Sequence, residues 1–176
     1  MAMTWATIES ALEGSRTAPE MVAALAGSCP VEIEEVLDRI GAGEAGRLLS
    51  EAQRAQSAER RGKLAACLAV LDKTVVAGGQ THKGALPRFG SRRRDLASRY
   101  GDLALCALLA SLIDVELGGE PEARRARFAR AAMALESHVA AVREGSAGEV
   151  EATEAEIRRA REIFARVGGL VRTGGD

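Results

Sequence analysis

The chain predicts an all-α protein, a bundle of six to seven helices preceded by a head of short ones. Three observations predict it. Hydrophobic residues make up 47% of the 176 positions, but aromatic residues only 3%. Alanine and leucine dominate that apolar fraction; they cost least in a helix, whereas the β-branched and aromatic residues suited to strands are scarce. The apolar positions recur three and four residues apart, in runs punctuated by glycine and proline, as one-sided helix burial requires.

Each element has its own signal. Thr4 reads as an N-cap, with Trp5, Ile8 and Leu12 following at helical spacing up to Gly14. Thr17-Ala18-Pro19-Glu20 forms a capping box with proline in the first turn, opening a short helix with Met21, Val22 and Leu25 on its apolar side. Pro30 starts a third helix, with Ile33, Val36, Leu37 and Ile40 on one face and Gly41 at its end. A long helical stretch is then expected from Glu44 to Ala77, weakest at Gly62 and striped by Leu64, Cys67, Leu68, Leu71 and Val75. Residues 78–91 hold four glycines and Pro87 without periodicity, which predicts a long connection.

Ser91 is expected to cap the next helix, which runs to Leu117 with a kink at Gly101. Its segment Leu103–Ile113 is apolar nearly all round, which marks the central helix of the bundle. After Gly118-Gly119-Glu120-Pro121, a helix striped by Phe128, Ala132, Leu135, Val139 and Val142 ends at Gly145. The last helix carries Thr153, Ile157, Ala160, Phe164 and Val167. The expected organisation is a short-helix head over 1–41, a main bundle over 44–167 and a flexible tail over 168–176.

The net charge of −1 hides an uneven layout. Residues 1–59 hold ten acids and four bases, 60–130 hold seven acids and fourteen bases, and 131–176 hold eight acids and six bases. A basic middle between acidic ends either neutralises itself within the fold or meets an anionic partner. Cys29, Cys67 and Cys106 are too few and too dispersed for a disulfide framework. The apolar run Leu103–Ala110 is far shorter than the roughly 20 residues that span a bilayer. Residues 1–13 lack the basic start and apolar run of a signal peptide, so a cytoplasmic chain without membrane association is expected.

Four candidate chemistries follow. Residues 19–40 place Val22, Ala23, Ala26, Gly27, Ile33 and Val36 in a pattern that resembles the paired helices of bacterial helix-turn-helix regulators. The second helix of that pair, however, carries Glu32, Glu34, Glu35 and Asp38 against a single Arg39, a charge that phosphates repel. The second candidate is the basic cluster Arg88, Arg92, Arg93, Arg94 and Arg99, with Phe89 and Tyr100 nearby. Arginine forks suit carboxylate or phosphate, and cations at a helix start oppose its dipole, so helix stability does not account for them.

The third is the loop carrying Gln80, His82 and Lys83. Its Gly79-x4-Gly84 spacing fits a phosphate loop, but Ala85 stands where lysine is required. The fourth is metal or nucleophile chemistry. With two histidines, His82 and His138, and no Cys-x-x-Cys or His-x-x-x-His pair, no metal site and no cofactor are expected.

The sequence therefore favours a non-enzymatic interaction or regulatory module. It would bind a protein partner through the anionic-surface residues Arg88, Arg92, Arg93, Arg94 and Arg99, with a homodimer as one form of that association. A helix-turn-helix-type nucleic-acid-binding regulator is the alternative. An enzyme with its site in the 78–91 loop at Gln80, His82 and Lys83 comes third.

Overall fold

The computed structural model describes residues 4–81, 90–145 and 150–174, the side chains of 79–81 and 90–95 excepted. The described residues form eight helices and no strand: α1 (Trp5–Ala11), α2 (Ala18–Ser28), α3 (Pro30–Arg39), α4 (Gly43–Arg54), α5 (Ser57–Thr81), α6 (Gly90–Leu117), α7 (Pro121–Gly145) and α8 (Val150–Thr173). The N-terminal signals act as read. The Thr4 and Thr17 side chains accept from the Thr7 and Glu20 amides, satisfying donors that a helix start leaves unpaired. Glu20 turns back to the Arg16 amide at 2.9 Å, one residue short of closing the capping box on Thr17. Pro30 opens α3.

α6 is the axis of the bundle. α2, α3, α5, α7 and α8 all pack against it, and every residue from Asp102 to Val115 is buried. At about 1.5–3 kcal/mol for each fully buried leucine-sized side chain, Leu108, Leu109, Leu112 and Ile113 make this segment the largest local source of hydrophobic stabilisation. One continuous core joins it to Trp5 and Ile8 of the N-terminal head and to Val171 near the C-terminus.

Three expectations are corrected. The stretch 44–77 is two helices, which accounts for the eighth element. The chain breaks at Ala55–Gln56, Ser57 takes a positive φ of 49°, and α4 folds back on α5. Gly62, expected as the weak point, lies inside α5 with open space where a Cβ would sit. The expected connection 78–91 is helical at both ends: α5 continues through Thr81 and α6 already begins at Gly90. Gly78 is helical for a packing reason: a Cβ there would lie 2.7 Å from the Leu103 side chain.

Gly101 lies inside α6, which is continuous past it. Residues 168–173, expected to begin the tail, complete α8, with Gly168 and Val171 buried.

Candidate binding surfaces

The residues singled out in the sequence fall unevenly on this frame. Arg88, His82 and Lys83 lie outside the described residues. Gln80 is in the last turn of α5, and Arg92, Arg93 and Arg94 are in the first turns of α6, all four with side chains outside the described set. Arg99 is exposed and makes no ion pair among the described residues. On α3, Glu34, Glu35 and Asp38 project outward, likewise unpaired among the described residues. The exposed face of the helix-turn-helix-like pair is therefore acidic, as its sequence implied.

Part of the basic middle is spent inside the fold. Arg127 forks onto Asp72 at 2.7 Å and also donates to Asp114, tying α5, α6 and α7 together. Arg60 pairs with Glu116 at 2.9 Å, and Arg39 forks onto Asp102 with two bonds of 3.0 Å. These pairs hold the helices around α6 in register. Leaving any one of these partly buried charges alone would be costly.

What remains outside is a surface that sequence periodicity did not single out. α5 packs mainly against α4 and α6, is tied to α7 through the Arg127–Asp72 pair, and buries only the stripe Leu64, Cys67, Leu71 and Val75. Its outer face presents Ala65, Ala66, Ala69, Val76 and Ala77, with Val76 43% exposed. Between Leu64 and Thr81 the only charged residues are Asp72, held by Arg127, and Lys73. Along one edge, Lys73, Val76 and Ala77 meet Arg127 and Arg130 across a shallow groove between α5 and α7. Met133, 72% exposed, lies one turn beyond Arg130 on α7. The surface is thus apolar with a basic margin.

A second concave feature lies among α1, α3, α6, α7 and α8, a cleft of about 330 Å³. Ile8, Val36, Leu105, Val139 and Ile157 give it apolar walls, while Arg39, Asp102, His138 and Glu156 supply polar groups. His138 joins three helices. Its Nε2 accepts from the Trp5 indole at 3.1 Å, and its Nδ1 donates to the Ala97 carbonyl at 2.7 Å, which fixes the tautomer. The fit depends on Gly101, since a Cβ there would stand 2.8 Å from the imidazole ring. Burial lowers the His138 pKa, and this outweighs the opposite pull of the Ala97 carbonyl, Asp102 and Glu156. Glu156 in turn accepts from the Trp5 backbone amide at 2.9 Å, so both ends of that residue are anchored.

The cysteines are held as thiols. Burial pushes Cys29 up to about 11 and Cys67 up to about 12, and raises Cys106 as well. Among the described residues, no group of three or more His, Cys, Asp or Glu is placed to hold a metal ion. None of the described helices is long and apolar enough to cross a membrane. Comparison with protein-family models, curated proteins and solved structures found no match to this chain.

Proposed function

We propose that this protein is a non-enzymatic helical interaction module that docks a protein partner on the outer face of α5 and the basic groove beside it. The observation that carries the reading is the one-sided burial of α5. From Leu64 to Ala77, α5 carries apolar residues on its exposed side as well as on its buried one, and an exposed apolar patch marks a contact surface. Lys73 and Arg130 at the margin favour a partner whose apolar contact is flanked by acids. In the sequence, Arg88, Arg92, Arg93, Arg94 and Arg99 supply further cations suited to an anionic surface. The described thiols are buried and His138 has both ring nitrogens engaged, which supports binding rather than catalysis.

The test compares the wild type with Ala69→Arg/Val76→Asp and with Arg130→Glu, by light-scattering mass, absorbance at 260 and 280 nm, and pull-down. The expected result is a protein partner held by the wild type and lost from both variants, whose melting curves stay in place. A dimer that the variants split would make that partner a second copy of the chain. Recovery of nucleic acid that salt strips away would replace this reading with the regulator. Unchanged partner binding in both variants would remove α5 as the docking face.

A further inference from the structure

The cleft beneath α1 shares no lining residue with the α5–α7 groove, and its chemistry points to a different ligand. We infer that it is a binding site for a small organic cation, a protonated amine carried on an apolar body.

Size comes first. At about 330 Å³ the cleft is near the lower end of ligand pockets, which run from about 300 to 1,000 Å³, so it suits a molecule of one ring rather than a nucleotide. Its walls are mostly apolar, and the Trp5 indole stands among them. An aromatic face attracts an ammonium or a similar cation.

Charge decides the sign. The charged side chains lining the cleft are Arg39, Asp102 and Glu156, two carboxylates against one guanidinium. Arg159, which bonds Glu156 from outside the lining, is shared with Glu9, so counting both leaves the excess negative. His138 adds no positive charge at neutral pH, being buried with Nε2 committed as an acceptor.

Hydrogen-bond capacity agrees. Each oxygen of Asp102 and Glu156 already accepts one bond, from Arg39, Trp5 or Arg159, and each has a second lone pair to offer. The hydroxyls of Ser98 and Thr153 add further acceptors at the lining. Both His138 nitrogens are occupied, and Arg39 already spends two of its donors on Asp102. A donor-rich cation finds more open partners here than an anion does. An anion at Arg39 would also face two carboxylates.

Phenethylamine and 3-phenylpropionate carry the same ring and opposite charge, which makes them the probe pair. Trp5 is the chain's one tryptophan, so its fluorescence reports the cleft directly, with calorimetry giving stoichiometry. The expected result is saturable one-to-one binding of the amine, with the carboxylate at least about tenfold weaker. Glu156→Gln should weaken the amine about tenfold, the usual loss for one charge-assisted hydrogen bond. Glutamine still accepts the Trp5 amide, so the melting curve should hold.

Equal binding of the two probes, or tighter binding of the carboxylate, would overturn the assignment. So would the lack of saturation by either probe up to about 10 mM, beyond the millimolar range of weak recognition. The wild-type probe comparison decides the matter even if the variant fails to fold. Partner binding at α5 is measured separately, so one reading can fail without the other.

Discussion

α5 and α6 are neighbours of nearly equal length, and both are rich in alanine and leucine, yet they end in opposite environments. α6 is buried on every side from Asp102 to Val115, whereas α5 buries one stripe and leaves four alanines and Val76 in solvent. Composition does not separate them. Placement does: α6 is surrounded by five helices, whereas α5 packs mainly on α4 and α6, with α7 along one edge. An apolar helix at the edge of a bundle is either a stability cost or a surface in use, and α5 adds to its apolar face the basic margin that a docking site needs.

The largest test of this contrast is Leu108→Ala on α6. Leu108 is fully buried, so truncation should cost about 2–5 kcal/mol in urea unfolding, through lost transfer energy and the cavity left behind. A loss below about 1 kcal/mol would mean that α6 is not the close-packed axis. Two glycine substitutions sharpen the point. Gly101→Ala on α6 should destabilise by about 1–3 kcal/mol, because the imidazole in its way is held by two hydrogen bonds and cannot simply move aside. Gly62→Ala on α5 meets nothing within 4 Å and should stabilise by about 0.5–1 kcal/mol, the helix-propensity gain alone. Opposite signs are expected; the same sign in both would erase the distinction.

Acid should act on the α6 side through His138. The folded His138 pKa lies below its unfolded value, near 6.5, so the unfolded chain takes up the proton first as pH falls. Stability is therefore full above about pH 6.5 and declines below it until the folded imidazole also titrates. The charged groups that the imidazole senses are Asp102 on α6 and Glu156 on α8, and both oppose the effect of burial. Protonation also removes the acceptor for the Trp5 indole, so Trp5 fluorescence of the folded protein should change with a midpoint at the folded imidazole's pKa, below the ordinary histidine value. His138→Gln should abolish that midpoint; its survival would assign the transition to another group.

The smallest expected effect is on the stability of Ala69→Arg. On an exposed face it should shift unfolding by no more than about 0.5 kcal/mol while removing partner binding. A large stability loss there would show that α5 is buried in a way its packing within one chain does not reveal.

Much of the fold was legible because local chemistry carries it. Thr4, Thr17 and Pro30 mark helix starts by satisfying or lacking backbone donors, and the unbroken apolar run after Leu103 identified the central helix. The break at Ala55–Gln56 was not legible. Nothing in Ala-Gln-Ser is a helix stop, and the turn is held by α4 packing back on α5, including a Cys67 thiol donating to the Ala45 carbonyl.

Of the candidate sites, the sequence singled out charged clusters by their density. It missed the cleft entirely, since Trp5, Asp102, His138 and Glu156 lie on four helices, and Trp5 meets His138 across 133 residues. It met His138 only as one of two histidines without metal-ligand spacing.

The sequence by itself determined that this chain is helical, where most helices begin and which one is central. Those outcomes depend on propensity, capping and periodicity, all acting within a few residues along the chain. Tertiary structure alone decided that α5 keeps an open apolar face, that Gly101 admits the His138 ring, and that two carboxylates and one arginine converge on a cleft beside Trp5. Those outcomes depend on which helices become neighbours, and contacts between residues distant in sequence have no signature in local spacing.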